Sequence, residues 1–91
     1  MNLQEASDLL RKLGGFWTKI KHLPDQERPV IIFWDEHIPI GHVDLSEIGK
    51  YSVDYPAFQK QDEDIQFEAE RILQMLAFTP YEKVFNELRT E

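Results

Sequence analysis

The stretch Arg28-Pro-Val-Ile-Ile-Phe-Trp-Asp-Glu-His-Ile-Pro-Ile-Gly-His-Val43 decides the fold of this chain. Its first half, residues 30–34, is a run of valine, isoleucine and aromatic side chains, which favour a pleated strand. Because side chains alternate across a strand, both faces of this run are apolar. Such a pattern is typical of a central strand that is covered on both sides, so the rest of the fold is expected to pack around it.

The polar residues 35–37 predict a turn, and residues 38–43 predict the strand that returns from it. A three-residue turn fixes the pairing of the two strands, since register follows from the length of the connection. The predicted register pairs Trp34 with Ile38, Ile32 with Ile40, Val30 with His42, Phe33 with Pro39 and Ile31 with Gly41.

This register has three consequences for packing. Ile32 is expected to be fully buried, facing Ile40 and at least one helix. Gly41 leaves open space beside Ile31, where a helix can approach the sheet. Pro39 has no N–H to donate to a neighbouring strand, so the returning strand is expected to lie at an edge of the sheet.

Helical signals precede this hairpin. Asn2 and Glu5 form a capping-box pattern, apolar residues follow at helical spacing, and Gly14 and Gly15 end the pattern. These features predict a helix over residues 3–13. Residues 16–22 alternate weakly and predict a strand that pairs with residues 30–34.

The C-terminal half contains two further helical patterns. Residues 62–78 begin with three acidic side chains, which favour a helix N-terminus, and continue with apolar residues on one face, widened by Phe67 and Met75. Thr79 is expected to cap a last helix over residues 80–89, with Pro80 in its first position. Residues 44–49 predict one short helical turn, and residues 51–55 a possible short fourth strand.

This order of elements predicts an α+β fold. An N-terminal helix precedes a three-stranded antiparallel meander with a possible short fourth strand, and two C-terminal helices pack on the sheet. The 91 residues are expected to form a single compact domain.

Composition narrows the class of protein. The net charge is −7, and residues 35–91 carry thirteen acidic against five basic side chains. Such a surface repels phosphate backbones and anionic membranes, so neither direct nucleic-acid binding nor membrane binding is expected. The chain has no cysteine, no signal-like N-terminus and no apolar run near the roughly 20 residues that cross a bilayer, which predicts a cytoplasmic protein.

No catalytic motif is present. Histidines and carboxylates cluster between residues 35 and 44, where Asp35, Glu36, His37, His42 and Asp44 are possible metal ligands, but without a recognised spacing. Either histidine could activate Ser46 or Ser52 as a nucleophile, although no nucleophile motif surrounds these serines. We therefore predict no enzyme activity, no cofactor and no metal.

Eleven aromatic residues in so short a chain exceed what its core can bury, and exposed tyrosine and tryptophan favour binding surfaces. We predict a small acidic protein-interaction module, a regulator or inhibitor of another protein. One alternative is an acidic nucleic-acid mimic that blocks a nucleic-acid-binding protein, and another is a self-associating structural subunit, monomer or homodimer. The predicted partner-binding residues are Asp54, Asp62, Glu63, Asp64, Glu68, Glu70, Tyr51 and Tyr55.

Overall fold

The computed structural model describes residues 1–85, which form an α+β fold. The elements in chain order are α1 (Leu3–Gly14), β1 (Trp17–Lys21), β2 (Val30–Asp35), β3 (Ile38–Asp44), β4 (Tyr51–Ser52), α2 (Pro56–Gln59), α3 (Glu63–Ala77) and α4 (Tyr81–Val84). The four strands form one antiparallel sheet in the order β1-β2-β3-β4. The predicted helix, meander and C-terminal helices packed on the sheet are confirmed.

Helix α1 begins and ends where its sequence signals predict. The side chain of Asn2 accepts a hydrogen bond from the N–H of Glu5, and the Glu5 carboxylate accepts one from the N–H of Asn2, both at 2.9 Å. Gly15 ends the helix with φ = 70°, a conformation that residues with a Cβ rarely adopt, and its N–H bonds to the carbonyl oxygen of Arg11.

The core lies between the helices and one face of the sheet. On β2, Ile31 and Phe33 are fully buried, and they pack with Val43 of β3 and with apolar residues of α1 and α3. The buried side chains from the helices are Ala6, Leu10, Phe58, Ala69, Ile72, Leu73, Leu76, Ala77 and Val84. The sheet thus has a helix-covered inner face and an opposite, outer face that carries Ile32 and Trp34.

The predicted β2–β3 register was wrong. The turn has two residues rather than three, with Glu36 at φ = 57°, so Asp35 pairs with Ile38. A bulge then adds Ile40 to β3 as an extra residue. The observed pairs are Val30 with Asp44, Ile31 with Val43, Ile32 with His42, Phe33 with Gly41, Trp34 with Pro39 and Asp35 with Ile38.

The prediction that Ile32 is fully buried was also wrong. Ile32 is half-buried on the outer face and lies opposite His42, while Ile40 is turned into the core by the bulge. Both faces of β2 are apolar, so the alternation of side chains did not indicate which face the helices cover.

Gly41 is the point where α3 crosses the sheet. A Cβ at this position would lie 2.9 Å from Cδ2 of Leu73 and 3.0 Å from the carbonyl oxygen of Ser52. The predicted approach of a helix at Gly41 is therefore confirmed, although the glycine lies opposite Phe33 and not Ile31.

The chain after β3 differs from the prediction in its short elements. Residues 45–49 form turns instead of a helical turn, and the short helix α2 begins at Pro56, which the sequence analysis assigned to no element. The fourth strand is present but only two residues long. It pairs with His42 and Val43, so β3 lies between β2 and β4, and the prediction that β3 is an edge strand was wrong. Pro39 is tolerated in β3 because the two-residue strand β4 does not reach it.

The C-terminal helices carry two corrections. Phe67 and Met75 are exposed and do not widen the buried face of α3. The residues of α3 that pack in the core form a narrower stripe, which begins at Ile65 and continues through Ala69, Ile72, Leu73, Leu76 and Ala77. Thr79 does not cap the last helix: its hydroxyl lies 2.8 Å from the carbonyl oxygen of Met75 and 2.7 Å from that of Met1. The predicted extent of that helix beyond residue 85 lies outside the described residues.

Candidate functional site

A shallow groove of about 520 Å³ lies between β4 and α3. One wall is the edge formed by β4 and the residues that follow it, and the other is the N-terminal half of α3, with α2 at its end. Its lining residues are Tyr51, Ser52, Val53, Asp54, Phe58, Gln59, Gln66 and Glu70. We call this feature the β4–α3 groove.

Hydrogen bonds fix both walls of the groove. The hydroxyl of Tyr51 donates to the Glu70 carboxylate at 3.0 Å and accepts from the side-chain amide of Gln74 at 2.7 Å. Gln66 donates to the carbonyl oxygens of Gln61 at 2.7 Å and Gln59 at 3.1 Å, which ties α3 to the end of α2. The side chains of Tyr51, Gln66 and Glu70 are consequently held in place before any ligand binds.

The eight predicted site residues do not form one surface. Tyr51, Asp54 and Glu70 line the groove together, and Glu63 lies on the same face of α3 as Glu70 by its spacing of seven residues. Glu68 points to another face of α3, where it pairs with Arg71 at 3.1 Å.

The other three predicted residues lie outside the groove. Asp62 and Asp64 are exposed at the start of α3, and neither lines the groove. Tyr55 turns its hydroxyl toward Nδ1 of His42, at 2.6 Å, and so takes part in a different cluster.

The lining of the groove is negative, because its described residues include the carboxylates of Asp54 and Glu70 and no basic side chain. Residues 51–70 carry six carboxylates and one lysine. Within residues 1–85, only one of these carboxylates, that of Glu68, forms an ion pair. Asp54 and Glu70 therefore present charge to the groove that no cation of the described chain neutralises.

His42 and Asp44 of β3 and the nearby Tyr55 form a separate cluster outside the groove. Burial lowers the pKa of His42 below its ordinary 6.5, although the nearby Asp44 opposes the shift. Burial alone would raise the pKa of Asp44, but hydrogen bonds from Ser46 and the charge of Lys50 outweigh it, and the pKa is lowered. Burial raises the pKa of Tyr55. Each of these groups is engaged in contacts within the protein.

The histidine–carboxylate sequence at residues 35–44 does not converge in space. Asp35 accepts a hydrogen bond from Gln61 at 2.9 Å, far along the chain, while His42 contacts Tyr55. Over residues 1–85, no three histidine or carboxylate side chains come close enough to hold a metal ion. The Ser52 hydroxyl accepts a hydrogen bond from the N–H of Asp54 at 3.1 Å and stabilises the local turn.

Sequence reasoning missed several residues of this site. Gln66 was not named, although its position four residues before Glu70 places it on the same helix face. Gln59 and Phe58 belong to α2, which was not predicted. Among the aromatic residues of the described chain, Phe67 and Phe78 are the most exposed, at 68% and 62%. The exposure of Phe67 was missed because its spacing on α3 was taken to mean burial.

Comparison with known proteins finds no match: no family model, no curated protein and no solved structure matches this chain. Within residues 1–85, no helix has the length and apolarity needed to cross a membrane.

Proposed function

We propose that this protein is a non-catalytic interaction module that binds an arginine-bearing basic segment of another protein in the β4–α3 groove. The observation that carries this proposal is the placement of Asp54 and Glu70 in one groove beside Tyr51. In a cytoplasmic setting, such a module acts as a regulator or inhibitor by covering the basic segment of its partner.

The lining of the groove favours arginine over lysine. A guanidinium group carries five donors in a planar fork that suits carboxylates, and it stacks on aromatic rings. The groove offers the carboxylates of Asp54 and Glu70 and the ring of Tyr51. Lysine carries a single, strongly hydrated charge and uses fewer of these groups at once.

A nucleic-acid mimic is a special case of this function, in which the basic partner surface is a nucleic-acid-binding site. The acidic side chains of α3 outside the groove, Asp64 and Glu68, would then contribute as well as Glu70. Competition separates the two cases, because nucleic acid displaces the module only from a partner site that binds nucleic acid. Self-association is the remaining alternative, and sedimentation at several concentrations tests it.

The proposal is tested by titrating the protein with a short arginine-rich peptide and with its lysine-substituted counterpart. We expect tighter binding of the arginine peptide, weakened by salt as charge–charge contacts are screened. Glu70→Gln removes a charge-assisted contact of about 1.5–3 kcal/mol and is expected to lower the affinity about tenfold or more.

Glu68→Gln is the matched control, since it removes the same charge from the same helix on a different face. Its effect on affinity is expected to be about twofold or less, as is usual for an exposed charge. Equal losses in the two variants, or equal binding of the two peptides, would show that net charge alone attracts the peptide and would contradict the proposal.

A further inference from the structure

The outer edge of β1 is a second surface with defined chemistry, independent of the β4–α3 groove. In the described part of the chain, β1 pairs with β2 and with no other strand. Four of its five residues are exposed, including Trp17 at 42% and Ile20 at 40%. An end strand of this kind presents backbone groups that can pair with another extended chain.

The hydrogen-bond alternation identifies which backbone groups face outward. The N–H of Asp44 donates to the carbonyl oxygen of Lys50 at 2.9 Å, so after the bulge the even-numbered residues of β3 direct their backbone groups toward β4 and the odd-numbered ones toward β2. The observed β2–β3 register then directs the odd-numbered residues of β2 toward β3 and its even-numbered residues toward β1. In β1, the residues opposite these even-numbered positions are Trp17, Lys19 and Lys21, so their backbone groups point toward β2. The N–H and C=O groups of Thr18 and Ile20 therefore point away from the sheet.

The side chains on the outer face of β1 are basic and aromatic. Lys19 and Lys21 are exposed on the same face as Trp17. Neither lysine has an ion-pair partner within residues 1–85. The Trp17 ring stacks on Trp34 at 5.5 Å and donates through Nε1 to the carbonyl oxygen of Glu36 at 2.9 Å, which fixes its position.

The inner side of the same strand is apolar. A cavity of about 160 Å³ lies against Ile20. Leu3, Val84 and Phe85 contribute its other apolar walls, and Asn2 and Gln4 also line it. The two sides of β1 thus offer different chemistry, positive charge on the outer side and apolar surface on the inner side.

We infer that the β1 edge binds an extended segment of another protein in which acidic and apolar residues alternate. The segment adds a fifth strand by bonding to the backbone of Thr18 and Ile20. Its acidic side chains lie beside Lys19 and Lys21, and its apolar side chains lie toward Ile20 and the cavity. Strand addition of this kind takes affinity from backbone hydrogen bonds and specificity from alternating side chains.

A second copy of this chain fits the edge poorly. Two copies that pair through β1 would be related by a twofold axis. If the axis passes through Lys19, the two Lys19 side chains lie opposite each other. If it passes through Ile20, Lys19 of one copy lies opposite Lys21 of the other. Like charges directly opposite in a sheet are destabilising. An axis through Thr18 engages residues 17–19 alone, because Phe16 is buried outside the strand.

The test uses a short peptide of alternating glutamate and valine as the probe. Binding is followed by intrinsic fluorescence, since both tryptophans of the chain lie on the outer sheet face, and by amide exchange at Thr18 and Ile20. We expect slower exchange at these two amides on binding. A combined Lys19→Glu and Lys21→Glu variant is expected to bind the probe about tenfold more weakly, because each substitution replaces a surface charge attraction with a repulsion.

Two controls make the outcome decisive. A probe with alternate amides methylated keeps its charge but cannot form the strand ladder, so it is expected not to bind. Glu70→Gln is expected to leave probe binding unchanged, which separates this surface from the groove. Undiminished binding of the methylated probe, or of the charge-reversed variant, would overturn the inference, as would dimerisation of the free protein through β1.

Discussion

Truncation of two adjacent isoleucines tests which face of the sheet the helices cover. Ile31 is fully buried on the inner face, and Ile32 is half-buried on the outer face. Replacing isoleucine by alanine removes three carbons, each worth about 0.8 kcal/mol when buried. For Ile31→Ala the cavity adds to this transfer term, which gives a loss of about 2–5 kcal/mol.

Ile32→Ala is expected to cost about 1 kcal/mol, because roughly half of the transfer term applies and no closed cavity forms. A domain of this size has about 5–15 kcal/mol of stability in total. At about 4–8 °C for each kcal/mol, the melting temperature falls by roughly 10–40 °C for Ile31→Ala and by less than about 10 °C for Ile32→Ala.

Urea denaturation followed by circular dichroism measures both losses, with Ile48→Ala as a control at an isoleucine that is 63% exposed. Unchanged denaturant slopes confirm that the unfolded states are comparable. A larger loss for Ile32→Ala than for Ile31→Ala would refute the assignment of the inner face and the register that accompanies it.

Three further variants test local features. Gly41→Ala is expected to cost about 1–3 kcal/mol in a denaturation experiment, and added Leu73→Ala is not expected to restore it, because the Ser52 carbonyl oxygen also blocks the new Cβ. The lowered pKa of His42 means that the unfolded chain binds a proton more readily, so stability is expected to fall as the pH drops below 6.5. His42→Gln should remove this dependence between about pH 7.5 and pH 5.5 in unfolding measurements. Asn2→Ala is expected to cost about 0.5–2 kcal/mol and to speed amide exchange in the first turn of α1.

Local signals in the sequence predicted the helices better than the pairing of the strands. The ends of α1 follow from Asn2, Glu5 and Gly15, because caps act over a few neighbouring residues. The β2–β3 register depended on a turn one residue shorter than expected and on the bulge at Ile40, and neither has a signal in the composition of the strands. The start of α2 at Pro56 was not predicted, although proline suits the first position of a helix.

The candidate site was predicted only in part, for a related reason. The acidic residues of α3 could be named from the sequence, but the sequence did not indicate which of them face the groove. Glu70 contacts Tyr51 of β4, whereas Glu68 lies on another face of α3 and pairs with Arg71. The contact of Tyr51 with Glu70 spans 19 residues and depends on the packing of β4 beside α3. No pattern within either segment indicates this pairing.

The most direct test of the proposed function is to locate the bound arginine-rich peptide by nitrogen–proton correlation spectra of the labelled protein. Binding in the β4–α3 groove predicts shift changes concentrated at residues 51–54 and at Gln59, Gln66 and Glu70, with little change along the Glu68 face of α3. In Glu70→Gln the same changes should need about tenfold more peptide to reach half of their full size. Changes spread over all exposed carboxylates, or centred away from the groove, would contradict the proposal.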